Sequence, residues 1–150
     1  MKNFLLYSIL LLTIAGAVDA GYLLVQTVSG KAVVCPSVPV GRFNLNQCNI
    51  VLATSYAKFL GLPTALYGLV VYLLFAILAL YSLAKRLPNA IKFLMYLSGL
   101  GVLISAYFVY LQFFVINALC FYCLTSATIV TLIFILSAVY NLRYSESLRV

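Results

Sequence analysis

Between Lys92 and Arg143 run fifty residues without a charged side chain. A single membrane-crossing helix needs about 20 residues to span roughly 30 Å of hydrocarbon. Fifty is too many for one crossing and fits two crossings joined by a tight turn. A second uncharged run separates Lys58 from Lys85, and a further apolar stretch follows Lys2. Isolated spans must satisfy their backbone hydrogen bonds internally, so the fold class is an all-α membrane protein. Composition agrees: 66% of the 150 residues are hydrophobic and 7% charged, against roughly 25% charged in ordinary soluble domains.

Four spans are expected, at about 4–25, 63–84, 93–115 and 119–140. They predict a four-transmembrane-helix bundle, with residues 1–150 forming a single integral membrane domain. The first run resembles a signal peptide in having Lys2 ahead of it and Val18-Asp19-Ala20 as a small-residue site. The apolar pattern nevertheless continues through Gly21-Tyr22-Leu23-Leu24-Val25, which favours a retained helix. Pro63 suits the first turn of the second span. Asn117 suits a cap between the third and fourth. The polar loop at about 26–62 carries Gly30, Pro36, Pro39 and Gly41. Its later part, Asn49 to Leu60, alternates like a short interfacial amphipathic helix.

The net charge of +7 does not point to nucleic acid. Its nine basic residues are scattered at the ends of apolar segments, where they set topology and meet anionic lipid headgroups. With the N-terminus inside, the cytoplasmic side carries Lys2, Lys85, Arg86, Lys92, Arg143 and Arg149. The outer side carries Lys31, Arg42 and Lys58. This bias predicts a multi-pass cell-membrane protein with both termini cytoplasmic and the loop outside. In either orientation, loop 26–62 and the turn at 116–119 share one side. All four cysteines, Cys35, Cys48, Cys120 and Cys123, therefore sit at one end of the bundle.

Cysteine is a common buried small hydrophobe, but none of these four falls in the middle of a span. A zinc site would need an unusual pairing of C-x12-C with a distant C-x2-C, in a chain without histidine. Dithiol redox chemistry fits better. Cys120 is expected in the first turn of the fourth helix, where the positive end of the helix favours thiolate. Cys123 follows on the same face. The loop pair can receive electrons from a soluble partner and pass them to the helix pair by thiol–disulfide exchange. A membrane-embedded C-x-x-C suggests a lipid-soluble acceptor, and a quinone fits. Asp19 is an acid within a span, which marks it as a functional candidate. Tyr56, Tyr67, Tyr72 and Tyr107 are candidates to line a quinone pocket. No glycine-rich nucleotide loop points to flavin or nicotinamide. A non-catalytic scaffold or metal-binding protein is the alternative from another class.

Three stretches carry a resemblance to the vitamin K epoxide reductase family. Residues 48–72, CNIVLATSYAKFLGLPTALYGLVVY, resemble its loop helix and second span. Residues 105–127, SAYFVYLQFFVINALCFYCLTSA, resemble its third span, turn and C-x-x-C. Residues 19–26, DAGYLLVQ, resemble part of its first span. The resemblance implies a four-helix bundle around a quinone such as ubiquinone or menaquinone. It implies that Cys123 reduces the quinone, that Cys120 exchanges with Cys48, and that Cys35 meets a thioredoxin-like protein. It also implies that Ser55 lies beside the quinone. Twelve residues separate Cys35 from Cys48, more than the family pattern leads one to expect. Ala127 stands where the animal enzymes have tyrosine, which matches the microbial, disulfide-forming members rather than the epoxide reductases. With no thioredoxin-like domain in this sequence, the redox partner is expected to be a separate chain. An inverted form, working toward the cytoplasm, is the rival within the same chemistry.

Overall fold

The computed structural model describes residues 2–41, 43–85 and 88–144. Arg42, Arg86 and Arg149, used above for orientation, lie outside the described residues. Four long helices form among the described residues: α1 (Lys2–Ser29), α3 (Thr64–Lys85), α4 (Pro88–Tyr110) and α5 (Phe121–Tyr144). A short helix, α2 (Cys48–Ala53), lies in the loop between α1 and α3. α4 runs on as a π-helical turn, Leu111–Ile116. Each of the four long helices is long and apolar enough to cross a membrane, and the chain is a four-helix membrane bundle.

Small residues decide how these helices meet. Between apolar helices in lipid there is little hydrophobic drive, so close packing takes over. α1 lies against α3 and α5, and α4 lies against α5, while α3 and α4 touch more sparingly. Gly16 admits the Tyr72 ring against α1, and a Cβ there would overlap it. Gly101 does the same for α4 and α5, where a Cβ would stand 2.9 Å from Val130 Cγ2. In the half of the bundle away from the cysteines, Leu6, Ile9, Phe75, Ala79, Ile91, Leu94 and Ile133 form the core. The buried hydroxyls of Thr13, Ser98 and Ser137 donate to carbonyls three residues back in their own helices. That satisfies them without partners from other helices.

The loop departs from expectation. The helix expected from Asn49 to Leu60 stops at Ala53. Thr54 turns extended, with ψ 155°, and its N–H and Oγ1 both donate to the Val51 carbonyl, at 3.2 and 2.7 Å. A 3₁₀ turn, Ser55–Ala57, follows. With β1 (Pro39–Val40) and β2 (Phe43–Asn44) as the first short strand pair, β3 (Lys58–Phe59) and β4 (Leu62–Pro63) make the second. The linking residues Leu60 and Gly61 have φ of 52° and 82°, the signs a tight two-residue hairpin turn requires. Pro63 thus ends a strand, and α3 begins one residue later.

Candidate functional site

Cys120 lies one residue ahead of α5, not in its first turn as the sequence suggested. The reason is a short antiparallel pairing between the loop and the segment before α5. Gln47 N–H donates to Leu119 O at 3.2 Å, Phe121 N–H donates to Leu45 O at 3.2 Å, and Asn46 pairs with Cys120. Two glutamine side chains complete the tether. Gln47 Oε1 accepts from Leu119 N–H at 3.3 Å, and buried Gln112 Oε1 accepts from Cys120 N–H at 2.9 Å. Gln112 is within reach because of the π-helical turn, which closes at Asn117 with φ 53° and ψ 34°.

This placement makes Cys120 the cap of α5. Its Sγ accepts the Cys123 N–H at 3.3 Å, and its carbonyl accepts the Leu124 N–H at 3.1 Å. The sulfur meets the N–H groups that a helix start leaves without partners. Cys123 Sγ–H also donates to Cys120 Sγ at 2.7 Å. That bond holds the Cys120 thiol below its ordinary value. Burial pushes the other way, and the Cys123 N–H adds to the lowering. Both residues are free thiols, and the Cys120 sulfur is the one that accepts hydrogen bonds from the other.

Cys35 and Cys48 form a disulfide across 13 residues, with Cα atoms 6.4 Å apart. Cys48 opens α2, and Asn49 beside it clamps the Cys35 segment. Asn49 Oδ1 accepts the Val33 N–H at 2.8 Å, and its Nδ2 donates to Val33 O at 3.2 Å. Tyr122, between the two thiols of α5, donates its hydroxyl to Val34 O at 3.0 Å and packs on Tyr22 at 5.1 Å between ring centroids. All four cysteines pack in one apolar cluster with Leu23, Val33 and Val51. Cys48 and Cys120 are 0% exposed, whereas Cys35 and Cys123 are half-buried.

Cys123 lines a cavity of about 750 Å³. Residues of α1, α3, α4 and α5 line it, together with the Ser55–Ala57 turn and β3. Its wall is largely apolar. Tyr56, Tyr67, Tyr72 and Tyr107, singled out from the sequence, are all part of it, as is Asp19. Ser55 lines it too, from an exposed position. Ser126, one turn along α5 from Cys123, is a lining residue the sequence reading missed; its i, i+3 spacing was the available signal. The Tyr72 hydroxyl donates to the Ser126 carbonyl at 2.8 Å and pairs with Ser126 Oγ at 2.9 Å. A pocket of this size, apolar with a few polar groups, suits a hydrophobic ring compound. Among the described residues, no three of His, Cys, Asp and Glu stand together as a metal site.

A sequence model of the vitamin K epoxide reductase family matches residues 7–138. The match takes in all four cysteines, Ser55 and the cavity wall. No curated protein sequence matches the chain significantly.

Proposed function

Since the chain belongs to the vitamin K epoxide reductase family, whose members are oxidoreductases that use quinone or vitamin K substrates, we propose that it is a membrane thiol:quinone oxidoreductase supporting disulfide formation. A reduced thioredoxin-like protein, a separate chain, gives two electrons to the Cys35–Cys48 disulfide through half-exposed Cys35. The loop dithiol exchanges with the helix pair through Cys48 and Cys120. Its own disulfide reforms, and Cys120 and Cys123 are left as thiols. Those thiols then close to a disulfide, delivering two electrons and two protons to the quinone in the cavity. The pattern of one closed disulfide and one thiol pair is the state this order passes through just before quinone is reduced.

The observation that carries the reading is the order of exposure along the four sulfurs. One half-exposed cysteine sits in the loop, two fully buried ones meet between loop and helix, and the fourth lines an apolar cavity. A packing role asks for no such sequence of environments. In this reading Ser55, which lines the cavity, stabilises charge developing on a ring oxygen. Ala127, in the position of the animal enzymes' tyrosine, favours quinone over epoxide as substrate. The excess of basic residues predicted on the N-terminal side of the membrane orients the cysteine end outward. Residues 1–150 act as one membrane domain in this scheme.

The test is quinone reduction by the purified protein, driven by a reduced thioredoxin-like donor. Wild type turns over, and Cys123→Ala does not. Turnover retained in Cys123→Ala sinks the scheme.

A further inference from the structure

Among the described lining residues of the cavity, Asp19 is the one carboxylate, and the relay does not use it. It lies ten residues before the end of α1 at Ser29, about 15 Å along the helix axis, level with the head of α5 that carries Cys123. It lines the same cavity as Cys123. Its Oδ2 is buried and accepts no hydrogen bond. An ionised carboxylate left without a partner in such a wall is costly, and taking up a proton removes that cost.

The groups around it do not supply that proton partner at rest. From α3 it is faced by Tyr72, whose hydroxyl is already engaged with Ser126. From α5 and the residue before it come Cys123, Tyr122 and Cys120. Tyr22 lies on the same helix, and Lys58 lines the cavity from an exposed position. Of these, the Cys120 and Cys123 thiols each lose a proton in every cycle, and Cys123 is the one that lines the cavity. In a mostly apolar cavity that proton needs a carrier.

We propose that Asp19 is the proton-transfer residue of the quinone step, giving a proton to a ring oxygen and recovering one from the Cys123 thiol. This rests on the quinone oxidoreductase reading above. The balance is simple. Two S–H bonds break, and the Cys120–Cys123 disulfide forms. Two electrons pass to the quinone, and two O–H bonds form on it. Asp19 ends the cycle in the protonation state in which it began. Positioned proton transfer of this kind contributes about 100- to 10,000-fold to a rate.

The experiment compares wild type, Asp19→Asn and Asp19→Glu in quinone reduction across pH. Disulfide exchange between the loop and helix pairs is followed separately in each, by acid quench and mass mapping. Asp19→Asn is expected to lower kcat about 100-fold or more, with a flattened pH profile and an unchanged exchange between the cysteine pairs. Asp19→Glu recovers a large part of the rate. A wild-type kcat and pH profile in Asp19→Asn overturns the proposal while leaving the relay standing. Slowed cysteine exchange in Asp19→Asn, matching its loss of kcat, also overturns it, because the loss is then structural. Failure of wild type to reduce any quinone sinks the underlying reading instead. Should Asp19→Asn not fold, infrared difference spectra of wild type serve. A protonated-carboxyl band that changes when quinone is reduced supports the assignment, and its absence overturns it.

Discussion

Cys35 and Cys48 are brought together across 13 residues of loop, whereas Cys120 and Cys123 stand three residues apart at the head of a helix. The helix pair is held in register by the start of α5 together with the Gln47 and Gln112 side chains that fix residues 119 and 120. The loop pair has no such frame. Its strands are two residues long, and in the proposed relay the covalent link that orders it opens in each cycle. The side-chain bonds around it take on weight for that reason. Asn49 holds the Cys35 segment through Val33, and Tyr122 holds it through Val34. The comparison teaches that reversible chemistry in a loop needs a second set of bonds that survives when the disulfide is gone.

Removing the tether under the helix pair should have the largest effect. Gln112→Ala leaves the buried Cys120 N–H without its acceptor and destabilises the fold by about 1–3 kcal/mol. It also slows exchange with the loop, because Cys120 is no longer held beside residues 45–47. Gln112→Glu keeps an acceptor oxygen and should fall between. Thermal unfolding in detergent, with exchange kinetics alongside, measures both.

Loosening the loop should give a smaller loss that depends on redox state. Asn49→Ala removes two hydrogen bonds from an exposed position, about 1–2 kcal/mol together. The loss in melting temperature should be greater with the Cys35–Cys48 disulfide reduced than with it closed. Equal shifts in the two states would mean that the clamp does not stand in for the disulfide.

The smallest expected change is in the acidity of Cys120. Its thiol is lowered first by the hydrogen bond from Cys123, so removing that donor should raise the pH at which thiolate forms. With Cys35 and Cys48 both replaced by alanine, the pH midpoint for alkylation of Cys120 should move upward in Cys123→Ala. A midpoint that stays in place would assign the lowering to the helix start instead.

The four-helix bundle is legible in the sequence because its signal is local. Charge-free runs of span length have few folds open to them in a membrane. The gathering of the cysteines follows from the same count, since two loops on one side must share an end. The details of the site are different in kind. Gln47 bonds to Leu119 across 72 residues, and Tyr72 bonds to Ser126 across 54. No local pattern announces either. Gly16 looks like any small residue in an apolar helix until the Tyr72 ring is laid on it. The break after Ala53 turns on Thr54 and on the hairpin at Leu60-Gly61, where apolar alternation alone reads as a longer helix. Cys120 falls one residue outside α5 because the loop pairs with it, a tertiary event that helix-start signals do not contain.

The central claim is that the two pairs exchange electrons through Cys48 and Cys120, and disulfide mapping in Cys123→Ala tests it most directly. In that variant the Cys120 thiolate attacks Cys48 of the loop disulfide, a Cys48–Cys120 bond forms, and Cys35 leaves as a thiol. Without Cys123 nothing on the helix resolves the new bond. Peptide mapping by mass spectrometry should find Cys48 linked to Cys120 and Cys35 free. A Cys35–Cys48 link that persists beside free Cys120 under every redox condition tried, or a link from Cys120 to Cys35, would contradict it.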